Sequence, residues 1–205
     1  MFSAIQSHIP TMEGYAHPSA IVVPFIKQED GWYVLFTKRS ATLKHQPNDI
    51  CFPGGRIEKG ESAREAAIRE AQEELGIQEA QIQIVGQSDI VITPFGACVY
   101  PFVAILDIES VDVCAYNPDE VQRLILVPLN YFLTQEPDLY QIGLKQEFPD
   151  DFPFDRIEKG RDYPFPPFKH KQYFYDYLGN TIWGLTARTM HNVVGLIKEG
   201  KDVCE

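Results

Sequence analysis

Long apolar runs are missing from the 205 residues: no window approaches the roughly 18 consecutive apolar residues that a membrane-spanning helix needs. The opening MFSAIQSHIPTMEGY lacks the basic stretch and apolar core of a secretory signal. Cysteine is scarce, with four residues (Cys51, Cys98, Cys114 and Cys204) scattered and no CxxC pair. That pattern predicts reduced thiols and a cytoplasmic protein. The five histidines show no metal-ligand spacing, and neither a Walker-type loop nor a Rossmann glycine motif occurs. Positive charge is also short. A formal net charge of −11 argues against nucleic-acid or anionic-membrane partners, and any anionic substrate would need local cations or bound metal.

What remains is ordinary for one globular domain over 1–205, with 44% hydrophobic and 23% charged residues. AIVVPFI (20–26) and WYVLFT (32–37) read as strands across a KQEDG turn. Further strands are expected at 82–85, 90–92, 99–106 and 124–127, then a short helix at 129–133. A strand at 173–177 and a helix at 185–199 follow. The segment at about 135–171, rich in proline and aromatics, reads as loops packed on the body. RIEKG occurs at 56–60 and 156–160 with unrelated flanks, so the chain is not read as a repeat.

One stretch carries an electrostatic oddity. Ser62, with Glu65 three residues later, marks a helix start, and Gly76 marks its stop. Ala67, Ile68, Ala71 and Leu75 form an apolar side. Glu70, Glu73 and Glu74 crowd the C-terminal end, where the helix dipole is already negative and acids at i,i+3 and i,i+4 repel. Together with the carbonyls of a neighbouring Gly-Gly loop they offer hard oxygens suited to Mg²⁺ or Mn²⁺. A solvated acidic face explains the spacing equally well on its own.

The wider pattern decides between them. Gly55, then Glu61, then Arg69-Glu70-Ala71-Gln72-Glu73-Glu74-Leu75-Gly76-Ile77 resembles the Nudix box at every fixed position, Ala71 being smaller than the usual aliphatic residue. The resemblance implies an α/β fold, a Nudix-type α/β/α sandwich with a mixed central sheet. It also implies a metal-dependent pyrophosphohydrolase acting on a nucleoside diphosphate linked to another moiety. It gives Gly55, Glu70, Glu73 and Glu74 to the metal, Arg69 to orienting the glutamates, and Glu61 to bracing loop and helix. The general base is open between Glu73 and a later-loop carboxylate, for which Glu120 in NPDEVQRLILVPL is the candidate.

Upstream, LFTKRSATLKHQPNDICFPGG (35–55) resembles the motif of Nudix coenzyme A pyrophosphatases through Leu35, Thr37, Ser40 and the Phe52–Gly55 run. Lys44 stands where that motif has arginine and Asn48 where it has glycine. Lysine keeps a point charge without the arginine fork, and asparagine tolerates a left-handed backbone. Lys38, Arg39, Ser40 and Lys44 are thus expected to bind substrate. The resemblance implies coenzyme A or acyl-coenzyme A, cleaved to 3′,5′-ADP and (acyl-)4′-phosphopantetheine. The alternatives are an ADP-ribose, dinucleotide or nucleotide-sugar pyrophosphatase, or a non-catalytic nucleotide sensor. A homodimer is left open. Trp183 and the aromatics of 163–177 are read as packing residues rather than a base-stacking platform.

Overall fold

The computed structural model describes residues 18–202; the N-terminal segment read for a secretory signal and Cys204 lie outside the described residues. The continuous apolar run of β1 (Ser19–Gln28) fits a strand covered on both faces. Val22 packs into a cluster on one side of the sheet and Val23 into a cluster on the other. β2 (Gly31–Arg39) alternates likewise, Leu35 facing one way and Val34 and Phe36 the other. β1 and β2 pair antiparallel, Phe25 opposite Val34.

Two short strands follow, β3 (Ile50–Cys51) on β2 and β4 (Gly54–Arg56) on β1. Then come helix α1 (Ala63–Leu75), β5 (Ile82–Gln87), β6 (Val91–Ile92), β7 (Cys98–Leu106) and β8 (Val121–Pro128). The eight strands form one sheet with the path β3-β2-β1-β7-β5; β4 joins β1, β6 joins β7 and β8 joins β2. β1 and β7 run parallel and the other pairs antiparallel, so the sheet is mixed.

Helix α1 covers one face through Ala67, Ile68, Ala71 and Leu75. Helix α2 (Leu129–Thr134) and the long helix α3 (Gly184–Asp202) serve the other, where Phe132, Ala187, Met190, Val193 and Val194 are buried. The architecture is an α/β/α sandwich. Burying side chains the size of Leu75 or Met190 contributes about 1.5–3 kcal/mol each.

The segment at 135–171 is more regular than its composition suggests. It contains β9 (Asp138–Leu144) and the start of β10 (Phe168–Tyr177), which with β11 (Asn180–Trp183) makes a second sheet in the order β11-β10-β9. Six of the seven residues of β9 are exposed, so no burial alternation marks it in sequence. Between β9 and β10 the chain packs partly on itself. The Phe148 ring contacts those of Phe152, Phe154 and Phe165 at 4.8–5.2 Å, and Arg161 lies 4.5 Å over Phe154.

Candidate active site

Helix α1 is tied at both ends. The Glu65 N–H donates to Ser62 Oγ at 3.2 Å and the Ser62 N–H donates to Glu65 Oε2 at 2.7 Å, a reciprocal cap that holds the Glu65 carboxyl below its usual range. At the far end Gly76 adopts φ 65°, and its N–H donates to the Gln72 carbonyl at 2.9 Å. A Cβ there would run into the Ala115 carbonyl, so glycine is required by both conformation and space.

Arg69 organises the acids. Its Nε and Nη2 meet Glu61 Oε2 and Oε1 at 3.2 and 2.9 Å, Nη1 reaches Glu70 at 2.9 Å and Glu73 at 3.3 Å, and Nη2 also donates to the Arg56 carbonyl. Glu61 is held below its usual range by these bonds and by the Glu58 N–H. Glu73 projects outward, its side chain 58% exposed.

Glu74 turns inward and is only 7% exposed. Burial, then the nearby charges of Glu70 and Glu120, push its carboxyl up to about 8, against the opposing influence of Arg39 and the Gly54 backbone. Burial also raises Glu70, partly offset by Arg69. Glu120 is brought here by backbone ties. The Asn117 N–H donates to the Glu74 carbonyl at 3.3 Å, and the Ser40 N–H donates to the Glu120 carbonyl at 2.8 Å. The loop opening β8 is thereby pinned between α1 and the end of β2.

Among the described residues, no three or more Asp, Glu, His or Cys side chains are already drawn into a metal cage. Three observations nonetheless fit a hard divalent cation. Glu74 Oε2 is buried with no hydrogen-bond partner. The charges of Glu70 and Glu120 both bear on Glu74, and Arg39 with the Gly54 backbone only partly offsets them. Gly55 lets the Glu70 carboxylate lie against the loop backbone, in space that a Cβ would take. A divalent ion relieves the unpartnered oxygen and the mutual repulsion together.

The basic cluster does not act as one strip. Arg39, with a buried, unpartnered Nε, lies on the glutamate side and donates from Nη2 to the His45 carbonyl. Lys38 faces the opposite side of the sheet, in line with Phe36. Ser40 is buried, its Oγ 2.9 Å from Thr42 Oγ1. Lys44 lies exposed in the turn between β2 and β3. Asn48 takes φ 64° in that turn, the left-handed conformation that asparagine tolerates. Two residues were missed as site candidates. Arg123 is directly opposite Lys38, and Trp183 was read as packing yet is 42% exposed beside both. Neither carries a local sequence signal.

A family model described as the NUDIX domain matches residues 16–146. The chain belongs to the Nudix family. Its relatives include the mouse peroxisomal coenzyme A diphosphatase NUDT7, 36% identical over 131 residues that cover 62% of this Nudix chain and 54% of that protein. The Caenorhabditis elegans peroxisomal coenzyme A diphosphatase ndx-8 is 32% identical, covering 62% and 55%. The chain's match thus spans about half the length of these two relatives. An uncharacterized Nudix hydrolase, NudL, of Photorhabdus laumondii is 31% identical over 85% of this chain and 82% of its own. A MutT/nudix family protein from Enterococcus faecalis superposes with a TM-score of 0.49 at 15% identity, covering 97% of this Nudix chain and 66% of that one.

Proposed function

We propose that the protein is a divalent-metal-dependent hydrolase of the diphosphate in coenzyme A or acyl-coenzyme A, releasing 3′,5′-ADP and 4′-phosphopantetheine or its acyl form. The observation that carries the hydrolase reading is the buried, unpartnered Glu74 oxygen beside Glu70 and Glu120. Glu70 and Glu74, with Glu73 and the Gly55 carbonyl, would hold Mg²⁺ or Mn²⁺. When bound, such an ion supplies neutralisation of phosphoryl charge.

The chain's own groups do the rest. Arg39 offers the diphosphate a cation on the glutamate side of the sheet. Glu120, exposed at the mouth, takes the proton of the attacking water as its oxygen bonds to phosphorus. The bridging P–O bond breaks and its electrons leave with the departing phosphate. Arg69 keeps Glu70 and Glu73 oriented while Glu61 holds Arg69.

The substrate rests on the 35–55 segment and on the names of the mouse and nematode relatives, which describe those proteins as coenzyme A diphosphatases. Lys44 and Asn48, at two positions where that motif has other residues, favour a second reading as an ADP-ribose, dinucleotide or nucleotide-sugar pyrophosphatase. Product analysis separates the two. Purified protein is incubated with Mg²⁺ or Mn²⁺ and coenzyme A, ADP-ribose or NADH, with Glu74→Gln as control. Faster metal-dependent release of 3′,5′-ADP from coenzyme A than turnover of the others is expected. Turnover of ADP-ribose or NADH alone overturns the substrate, and turnover of none overturns this reading altogether.

A further inference from the structure

Consecutive residues at the end of β2 serve opposite faces of the sheet. Arg39 lies by the glutamates, whereas Lys38 lines a pocket of ≈ 440 Å³ on the α3 side, walled by the β10–β11 hairpin. The volume falls within the ordinary range for small-molecule sites, about 300–1,000 Å³.

The pocket holds a charge arrangement that asks for an anion. Lys38 and Arg123 are register partners on β2 and β8, pointing to the same face. Directly opposed like charges in a sheet are destabilising. Among the described residues Lys38 has no ion-pair partner, and the hydrogen bond Arg123 makes goes to the neutral Asn180 Oδ1 at 2.5 Å. Asp49 also lines the pocket but is ion-paired to neither. In a chain of net charge −11, these two cations stand face to face across the strand pair with no carboxylate ion-paired to either.

The opposite wall is aromatic. Trp183 and Phe174 lie with rings 12° from parallel and centroids 6.0 Å apart. Both line the pocket, and Trp183 is 42% exposed. An indole open to solvent beside paired cations suits a flat heterocycle that carries its own anion. An apolar chain would leave Lys38 and Arg123 uncompensated.

We propose that this pocket is a subsite for a phosphorylated nucleoside, with the base stacked on Trp183 and a phosphate on the ribose set against Lys38 and Arg123. The assignment deepens the proposed activity and rests on it in one respect: it gives the ribose phosphate of 3′,5′-ADP a place around the strand end from the carboxylates. The continuity is short, because Lys38 adjoins Arg39 and Arg123 lies three residues after Glu120.

The test reads binding without turnover. In a Trp32→Phe background Trp183 is the only tryptophan, and its emission is titrated with 3′,5′-ADP and with 5′-AMP in EDTA. Saturable quenching is expected, with 3′,5′-ADP binding about tenfold tighter than 5′-AMP, the weight of one charge-assisted phosphate contact. Lys38→Gln and, independently, Arg123→Gln should each remove that preference while the circular dichroism spectrum stays unchanged. Absent quenching, equal affinities, or a preference that survives both substitutions overturns the subsite. Coenzyme A hydrolysis without this binding rejects the subsite alone; binding without hydrolysis rejects the reaction and keeps the subsite.

Discussion

Arg69 grips Glu61 at two points, Nη2 to Oε1 at 2.9 Å and Nε to Oε2 at 3.2 Å, while its other terminal nitrogen reaches Glu70 and Glu73. The fork geometry joins the loop that carries Glu61 to the helix that carries the acids. Lysine cannot reproduce it. Arg69→Lys is therefore expected to lower kcat/KM by about 10–100-fold, the usual cost of disturbing a group that orients metal ligands. Steady-state assays alongside a thermal melt would check this, and unchanged catalysis would deny Arg69 an orienting role.

Glu74 makes metal-free stability depend on pH. The unfolded chain ionises this carboxyl near its ordinary 4.5, whereas the folded chain keeps the proton to about pH 8. The native state thus binds the extra proton across that window, and stability falls as pH rises through it. Melting in EDTA from pH 5 to pH 8 should show the decline, and Glu74→Gln should flatten it. Added Mg²⁺ or Mn²⁺ should raise the wild-type melting temperature more than that of the variant.

Glu74→Gln should also abolish hydrolysis while leaving the fold intact, because the amide matches the carboxylate in shape and carries no buried charge. Product chromatography with a circular dichroism spectrum on the same sample checks both halves. A folded, fully active variant removes Glu74 from the site.

Gly55→Ala tests the close approach of Glu70 to the loop backbone. The added methyl collides with the Glu70 carboxylate, so that side chain must move. At least a tenfold loss of metal affinity, roughly 1.4 kcal/mol, is expected by calorimetry. Unaltered affinity would mean that Glu70 is not a ligand in its present position.

Ser62→Ala removes the side-chain half of the helix cap. A cost of about 1 kcal/mol is expected, lowering Tm by about 2–4 °C for a chain of this size.

What was legible in the sequence was local. The cap at Ser62 and Glu65, the Gly76 stop and the crowding of Glu70, Glu73 and Glu74 all follow from helical spacing of three or four residues. The expected strands lie within β1, β2, β5, β7, β8 and β10, and at 90–92 only Val91 and Ile92 pair; apolar continuity marks the doubly covered β1 and β2 most plainly. The facing of Lys38 and Arg39 was not legible. It depends on register with β8 and on the irregularity between those two residues. Arg123 reaches Lys38 across 123 − 38 = 85 positions, a separation no local pattern encodes. β9 escaped notice because its exposed residues leave no periodic trace, and Trp183 because an aromatic in a pocket reads like one in a core.

The parallel pairing of β1 with β7 joins Ser19 to Val99. A chain emerging from the ribosome must therefore make about 80 further residues before its central strand finds that neighbour, and such distant pairings close slowly. Until then AIVVPFI presents an open backbone edge, the kind of template on which nascent chains aggregate. β4, which carries Gly54 and Gly55, also leans on β1. The Gly-Gly loop beside Glu70 thus gains its full support only when this distant pairing has formed, and the timing of synthesis becomes a condition for a working site.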